Sequence, residues 1–435
     1  MIPALNASNI YSTLGNGSSL VPMAIKDIAN SLGLTAGSYV CGDKLEGKDR
    51  FIDEFGTQAI WLFGIPAYKK IIDLTLYKLL KVDPKFDVRN FTDKRKNILS
   101  KTLEYADNSI KGSIKTAINN PKFSKNLTIG KFIVSTGLTI LSYAGLTKYR
   151  HEQTKKDAKK EILAEMQKNK DYSYTKPTSD TFSNIKNQPS FTGRMQNFMY
   201  DPVKNLMILD GSITTERLVH SRNKQELIGY TIKEATFWGF MYFASKPIQK
   251  FLEKTVENNK EKPASIDLDA RVIESKELKN AFLNGQLKES VEKVLKLETN
   301  EQMLDYIHNN PDDFVVQMAK KSDILPTLKQ ASQADNIDYR KFIDFDDFKE
   351  VAQKLDKLNN KFEEFKQTKL QDKTLEAFLE NVKTLKRKSI LKNMGACVGV
   401  LGIIAPAIMV AIRKLNKNNN AFQVKEDLKK ELINS

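Results

Sequence analysis

The longest uninterrupted apolar run in the chain is "KNMGACVGVLGIIAPAIMVAIRKLNK", which begins at Lys392. No charged or strongly polar side chain occurs between Met394 and Ile412. At about 1.5 Å per residue, this run forms a helix of roughly 28 Å, close to the thickness of bilayer hydrocarbon. A soluble helix normally turns one face to water. The pattern therefore favours a membrane span over a buried core helix.

A second apolar run, "GKFIVSTGLTILSYAGLTKY", begins at Gly130 and has no charge from Phe132 to Thr147. It is slightly shorter than the roughly 20 residues that a bilayer requires. Its hydroxyl groups can bond to their own helix or to a neighbouring helix. We predict a second span near 132–148.

Small residues in the first run predict close helix packing. Four of them follow spacings of four, three and four, which places them along one helix face. These are Gly395, Gly399, Gly402 and Pro406. A face of hydroxyl side chains on the second run is the first candidate partner, and it consists of Ser135, Thr139 and Ser142.

Two shorter apolar segments surround Trp61 and Trp238, and each is followed by a lysine-bearing amphipathic helix. Pro66 is expected to kink or break the first of these helices. Neither segment is long enough to span a bilayer alone. They fit the membrane interface or the core of a helical bundle. Under a transport function they would also span or re-enter the membrane.

Charged amphipathic helices are predicted across 263–390. Asn310 and Pro311 are read as the start of one of them. Apolar positions alternate by three and four in the next helix and continue in a second, which predicts a hairpin. These positions are Phe348, Val351, Leu355, Leu358, Phe362 and Phe365, then Leu375, Phe378, Leu379, Val382 and Leu385. The hairpin fits an intramolecular bundle or the binding of a partner helix.

The fold class expected from these patterns is an all-α, membrane-associated protein with about two spans and a basic helical bundle. Six segments follow along the chain. They are a polar segment at 1–55, apolar and amphipathic helices at 56–149, charged and aromatic helices with a polar connection at 150–262, the soluble bundle at 263–390, the span at 391–414 and a polar basic tail at 415–435.

The formal net charge of +16 calls for an anionic partner or for a basic solvated surface. Arginine is scarce relative to lysine, and no nucleic-acid-binding module is recognisable, so nucleic acid is not the expected partner. The densest basic runs adjoin apolar runs, which favours anionic lipid headgroups. Candidate headgroup contacts are Arg217, His220 and Lys224 on one predicted helix face, and the residues that flank the predicted span at 394–412, which are Lys386, Arg387, Lys388, Arg413 and Lys414.

Residues for catalysis are sparse. The chain has three histidines and two cysteines, and no zinc, phosphate-loop or dinucleotide-binding motif. A disulfide framework is excluded by the cysteine count. We therefore predict no catalytic site, no metal and no cofactor, and a protein that is not an enzyme.

The expected location is a plasma membrane or a bacterial-type inner membrane, reached without a cleaved signal peptide. The excess of Lys and Arg beside the spans places 150–392 in the cytoplasm. The function expected is an anchor or scaffold whose amphipathic helices bind protein or lipid. The alternatives are a transport or channel component and a soluble, basic, nucleic-acid-binding protein.

Overall fold

A computed structural model describes residues 7–15, 20–41, 44–91, 96–168, 199–222, 224–322, 337–415 and 428–430. Helix accounts for 83% of these residues, and none of them lies in a strand. The predicted all-α class is confirmed. The polar connection and most of the C-terminal tail lie outside the described residues.

The α-helices follow one another in this order. They are α1 (Ala7–Leu14), α2 (Leu20–Cys41), α3 (Lys44–Ile72), α4 (Lys96–Tyr105), α5 (Asn108–Asn119), α6 (Pro121–Lys168), α7 (Pro202–Val219), α8 (Lys224–Trp238), α9 (Ser245–Glu257), α10 (Ala270–Ile273), α11 (Lys276–Leu283), α12 (Gln286–Leu295), α13 (Asn300–Asn309), α14 (Phe314–Lys321), α15 (Phe345–Lys366), α16 (Leu375–Gly399) and α17 (Ala405–Leu415). A 3₁₀ turn covers Val88–Phe91, and π turns cover Asp73–Tyr77, Gly239–Phe243 and Val400–Ile404.

Short polar side chains begin several of these helices. Thr299 and Gln302 form a reciprocal capping box at the start of α13. Asp313 begins α14, where its carboxylate accepts hydrogen bonds from the N–H groups of Val315 and Val316. The helix start expected at Asn310 was therefore wrong by three residues, because the carboxylate of Asp313 satisfies two of the first free N–H groups.

The break expected at Pro66 does not occur. α3 continues through the proline to Ile72 and passes into the π turn Asp73–Tyr77. A second π turn, Val400–Ile404, precedes Pro406. A helix can accommodate a proline where other groups bond the freed carbonyl or the helix widens locally.

The chain divides into two compact units, each assembled from three separate stretches. Unit 1 comprises 1–22, 72–130 and 245–394, and unit 2 comprises 23–71, 131–244 and 395–435. The linear order of segments expected from the sequence differs from this interleaved arrangement. Apolar patterning marks where helices occur along the chain, but it does not identify which distant stretches pack together.

Unit 1 has a large apolar core. Helices α12, α14 and α15 pack together there, and the α15–α16 hairpin completes it. Phe348, Leu355 and Leu358 are fully buried, as is Phe378 on the second helix of the hairpin. The three-and-four spacing in the sequence thus marks the face that packs into the same core.

In unit 2, helices approach one another at glycines. A Cβ added at Gly33 of α2 would lie 2.8 Å from Pro406 Cγ and from the carbonyl carbon of Gly402. On α3, a Cβ at Gly64 would lie 2.6 Å from Thr139 Cγ2 of α6. These separations are shorter than van der Waals contact, so the helices could not be this close with any side chain at either glycine.

Two helical stretches of the described chain, Pro121–Met166 and Leu375–Ile412, are long and apolar enough to cross a membrane. They contain the spans predicted near 132–148 and 394–412. Only 28% of the most apolar window of each is buried within the protein. The core helix of a soluble protein would bury most of such a window.

Candidate functional site

The middle of helix α3 carries its charges inward and several of its large apolar side chains outward. Arg50 and Asp53 are 7% and 1% exposed, whereas Phe51 and Phe63 are 49% and 67% exposed. The same inversion occurs on α6, where Arg150 is buried and Leu141 is exposed. Buried charges require partners, and these charges meet in one group. We call it the charged network, and it consists of Asp49, Arg50, Asp53, Glu54, Arg150, Arg217, Arg222, Glu226, Lys233 and Glu234.

Asp53 is the centre of the charged network. Its carboxylate lies 3.2 Å from the guanidinium of Arg150 and 3.3 Å from that of Arg217. Arg50, one helical turn away on α3, lies 3.6 Å from it. The hydroxyl of Tyr230 donates to Asp53 at 3.3 Å and accepts from Arg150 at 2.5 Å. One carboxylate on α3 thereby joins α6, α7 and α8.

The network extends in one direction toward the start of α8. Arg222 donates to Glu226 at 2.7 Å and to Asp49 at 3.0 Å. Asp49 also accepts a hydrogen bond from Thr154 of α6. Arg222 and Glu226 are less deeply buried than Asp53, so this end of the network lies nearest the surface of unit 2.

In the other direction the ion pairs are nearly closed to solvent. Lys233 donates to both carboxylate oxygens of Glu54, at 2.7 and 3.0 Å. Arg217 donates to Glu234 at 2.7 Å, and Glu234 also accepts from Thr214 at 2.8 Å. Lys233 and Glu234 adjoin on α8, which brings the two pairs side by side.

A small cavity adjoins these pairs and is lined by residues from α2, α3, α7 and α8. Asp210 of α7 reaches it and accepts hydrogen bonds from the indole N–H of Trp61, at 3.4 Å, and from the hydroxyl of Tyr242. Asp27 of α2 lines the same cavity. The volume of the cavity is about 20 Å³, which is enough for one water molecule and too little for a metabolite.

The carboxyl groups respond to these surroundings in opposite ways. Burial raises the pKa of Asp53, but four cations around it hold that pKa well below its usual range. Burial likewise opposes ionisation of Glu226, yet Arg222 lowers its pKa to about 2. Burial raises the pKa of Asp27 to about 8 and that of Asp210 to about 7, with further increases from neighbouring carboxylates.

The three residues expected to share a headgroup-binding face do not do so. Arg217 is buried in the charged network, whereas His220 and Lys224 are exposed. α7 ends at Val219 and α8 begins at Lys224, so the spacing does not continue along one helix. That interpretation is corrected because a buried carboxylate, Glu234, binds the arginine instead.

The basic residues before the span predicted at 394–412 also have internal partners. The ammonium of Lys386 is buried and donates to the carbonyl of Ile266 at 2.6 Å. Arg387 donates to both carboxylate oxygens of Glu274 at 2.7 Å. Lys388 is exposed, so of these three it is the one whose side chain is open to an external anion. The side chains of Arg413 and Lys414 lie outside the described part of the chain.

The small-residue stripe and the hydroxyl face pack against two different helices. Gly402 and Pro406 meet α2, where Cβ at Gly402 would lie 3.1 Å from the carbonyl oxygen of Ala29. Gly395 and Gly399 have open space at the Cβ position. On the hydroxyl face Ser135 is fully buried, Thr139 contacts Gly64, and Ser142 shares a 2.7 Å hydrogen bond with Tyr68 of α3.

The sequence offered little indication of the charged network. Its partners are separated by up to 179 residues, as for Lys233 and Glu54, and charges on a predicted helix usually indicate a solvated face. One available signal was the occurrence of Arg50, Asp53 and Glu54 beside Phe51 and Phe55 on one helix. Within the described residues, no three His, Cys, Asp or Glu side chains are arranged to hold a metal ion.

Comparisons with protein-family models, with curated proteins and with solved structures find no match to this chain. The charged network and its cavity therefore have to be interpreted from their own geometry.

Proposed function

We propose that this chain is an integral membrane protein in which the bundle of unit 2 anchors the helical domain of unit 1. The observation that carries the proposal is the inverted polarity of unit 2. Ten charged side chains form a buried, paired network, whereas several large apolar side chains, such as Phe63 and Leu141, are exposed. Hydrocarbon, rather than water, is the solvent that favours this distribution.

The two apolar helices support the same conclusion. The exposed fractions of Val134 and Leu141 on α6 are 50% and 66%, and those of Ile403 and Ile404 are 69% and 50%. Burying one such side chain is worth roughly 1.5–3 kcal/mol. A water-soluble protein would lose that energy at each of these positions. We assign the lipid-facing surface to these two apolar helices, near 132–148 and 394–412.

Internal ion pairing supports insertion, because an unpaired charge is costly in a membrane. The charged network contains five cationic and five anionic side chains. Their charges cancel, and the guanidinium and ammonium groups bond to carboxylates within the unit. The bundle can therefore contain charges without presenting them to lipid.

Unit 1 is suited to an aqueous role. Its buried apolar side chains form one large core, while lysine and glutamate pairs such as Lys293–Glu289 occupy exposed helix faces. Such a domain would present helical surfaces to a protein partner or to anionic headgroups. Asp83 in 72–130 bonds to Arg340 in 245–394, so both stretches of unit 1 lie on the same side of the membrane, and the positive flanks of the spans favour the cytoplasm.

Extraction of native membranes tests this proposal. The protein should stay in the membrane pellet after washes with high salt and with alkaline carbonate, and only detergent should release it. Release by salt alone would indicate a peripheral, electrostatically bound protein. Release by carbonate would contradict integral insertion.

Transport is a second candidate function, and the cavity beside the charged network favours it. Ionisable groups inside a membrane bundle often form ion or proton pathways. Purified protein reconstituted in sealed vesicles should then dissipate an imposed proton gradient faster than empty vesicles. Equal rates would count against transport and would leave anchoring as the function.

A further inference from the structure

The cavity in unit 2 has an imbalance of charge. Of the cations that line it, Lys233 is bonded to Glu54 and Arg217 to Glu234. Two further carboxyl groups, Asp27 and Asp210, line the same space. Among the described residues, neither has a lysine or arginine within ion-pair distance. Full ionisation would therefore leave two uncompensated negative charges around the cavity.

Two buried hydrogen-bond donors also lie at the cavity without a partner. They are Nδ2 of Asn30 and Nε of Arg217, whose side chains line it. Asn30 is 2% exposed and Arg217 is 6% exposed. A buried donor without an acceptor costs about 1–3 kcal/mol. The cavity therefore favours an occupant that accepts two hydrogen bonds.

One water molecule matches both the volume and the hydrogen-bonding groups. It accepts two hydrogen bonds, here from Asn30 and Arg217, and donates two, here to Asp27 and Asp210. A cavity of about 20 Å³ exceeds the roughly 10–15 Å³ that one water requires. A sodium ion fits poorly, because it requires oxygen ligands, whereas Asn30 and Arg217 bring unpartnered N–H donors to the lining.

We propose that this cavity is a proton-exchange site, in which one water molecule links Asp27 to Asp210 and the two carboxyl groups bind a proton between them. In the binding step a hydronium ion gives its proton to a carboxylate oxygen, leaving a neutral carboxyl group and a water molecule. The reverse step releases the proton. Binding removes one of the two uncompensated charges.

Charged groups on α3, α7 and α8 face the pair of carboxyl groups. Glu54 of α3 and Glu234 of α8 oppose ionisation of the pair, while Lys233 and Arg217 favour it. Tyr242 donates to Asp210 and favours its ionised form. Burial outweighs the favourable contributions for both carboxyl groups, and their raised pKa values place proton exchange near neutral pH. Because the two groups interact, they titrate as a pair.

Proton uptake by the purified full-length protein in detergent tests the proposal. The pH is lowered from about 9 to about 6, a range in which ordinary aspartates stay ionised. Asp27→Asn and Asp210→Asn should each take up fewer protons than the unmodified protein, by up to about one per chain. Asp305→Asn is the matched control, because Asp305 pairs with Lys101 in unit 1 and its pKa is lowered. Equal uptake by all four proteins would overturn the proposal.

Infrared spectroscopy of the unmodified protein gives a second readout that needs no variant. The carbonyl band of a protonated carboxyl group should be present at about pH 6 and lost by about pH 9. Its absence at both values would overturn the proposal. Replacing choline with sodium as the buffer cation should not change the proton uptake. A smaller proton uptake in sodium buffer would show a cation site instead. Neither measurement depends on a bilayer, so the membrane proposal can fail without affecting this one.

Discussion

Gly33 on α2 lies so close to Gly402, inside the π turn Val400–Ile404, that position 33 has no room for a side chain. A Cβ on Gly33 would come within 2.8 Å of the carbonyl carbon of Gly402. Residue 406 would donate to the carbonyl of Gly402 in a regular α-helix, but it is proline and has no N–H. The opposing glycine therefore allows a second helix to pack against an irregular part of the span.

Substitution of Gly33 by alanine should destabilise the protein by about 1–3 kcal/mol, because the clash is with backbone atoms that cannot move independently. Alanine at a helical glycine without such a neighbour normally stabilises by up to about 1 kcal/mol. Gly395→Ala is the control, since its Cβ would meet open space. Thermal unfolding in detergent measures both variants. Equal melting temperatures for the two would contradict the close contact between α2 and the span.

Loss of a buried cation should destabilise far more than loss of an exposed one. Arg217→Met removes one partner of Asp53 and the nearest cation of Glu234, which should lower stability by about 3–5 kcal/mol. Lys293→Met removes an exposed partner of Glu289 and should cost about 0–1 kcal/mol. Denaturant or thermal unfolding compares the two. A similar small loss for both would mean that Arg217 is hydrated rather than buried.

The bond between Asp83 and Arg340 in unit 1 should make stability depend on pH. Burial of Asp83 raises its pKa, but the N–H of Lys85 and the guanidinium of Arg340, at 2.8 Å, lower it overall. A lowered carboxyl pKa stabilises the fold above the unfolded value near 3.8, and that contribution is lost as the pH falls through the folded value.

Asp83→Asn should therefore reduce stability at neutral pH by about 1–3 kcal/mol. The difference from the unmodified protein should shrink as the pH falls below about 4. Melting temperatures across that range measure it. Asp312→Asn is a suitable control, because Asp312 is exposed on unit 1 and has no lysine or arginine within ion-pair distance among the described residues. A difference at Asp83 that does not vary with pH would contradict the ion pair.

The sequence predicted the elements that depend on local pattern. The apolar faces of α15 and α16 are periodic over neighbouring residues, so Phe348, Leu355 and Phe378 were identified as core positions and are buried. The uncharged lengths of the two runs likewise predicted helices long enough to cross a membrane, as the structure shows. These features require only helix geometry and the distribution of apolar side chains.

The sequence did not predict the interior of unit 2, because that interior depends on pairing between charges that are far apart in the sequence. Arg217 was interpreted as a surface residue, since an arginine near His220 and Lys224 normally faces water. Its burial follows from Asp53 and Glu234, which lie on two other helices. Nothing in the local pattern of any one helix specifies such partners.

A paired substitution tests directly whether the exposed apolar side chains of the span at 394–412 contact lipid. Lysine at both Ile403 and Ile404 changes two exposed positions, which would be tolerated in water but would cost about 2.5–3.5 kcal/mol each in a bilayer. Lysine at Leu283 and Asn284 is the control, because these neighbours are exposed on unit 1. The measurement is the fraction of protein that resists carbonate extraction. We expect the unmodified and control proteins to stay fully in the membrane and the Ile403 and Ile404 variant to be extracted. Equal retention of all three would contradict contact between these side chains and lipid.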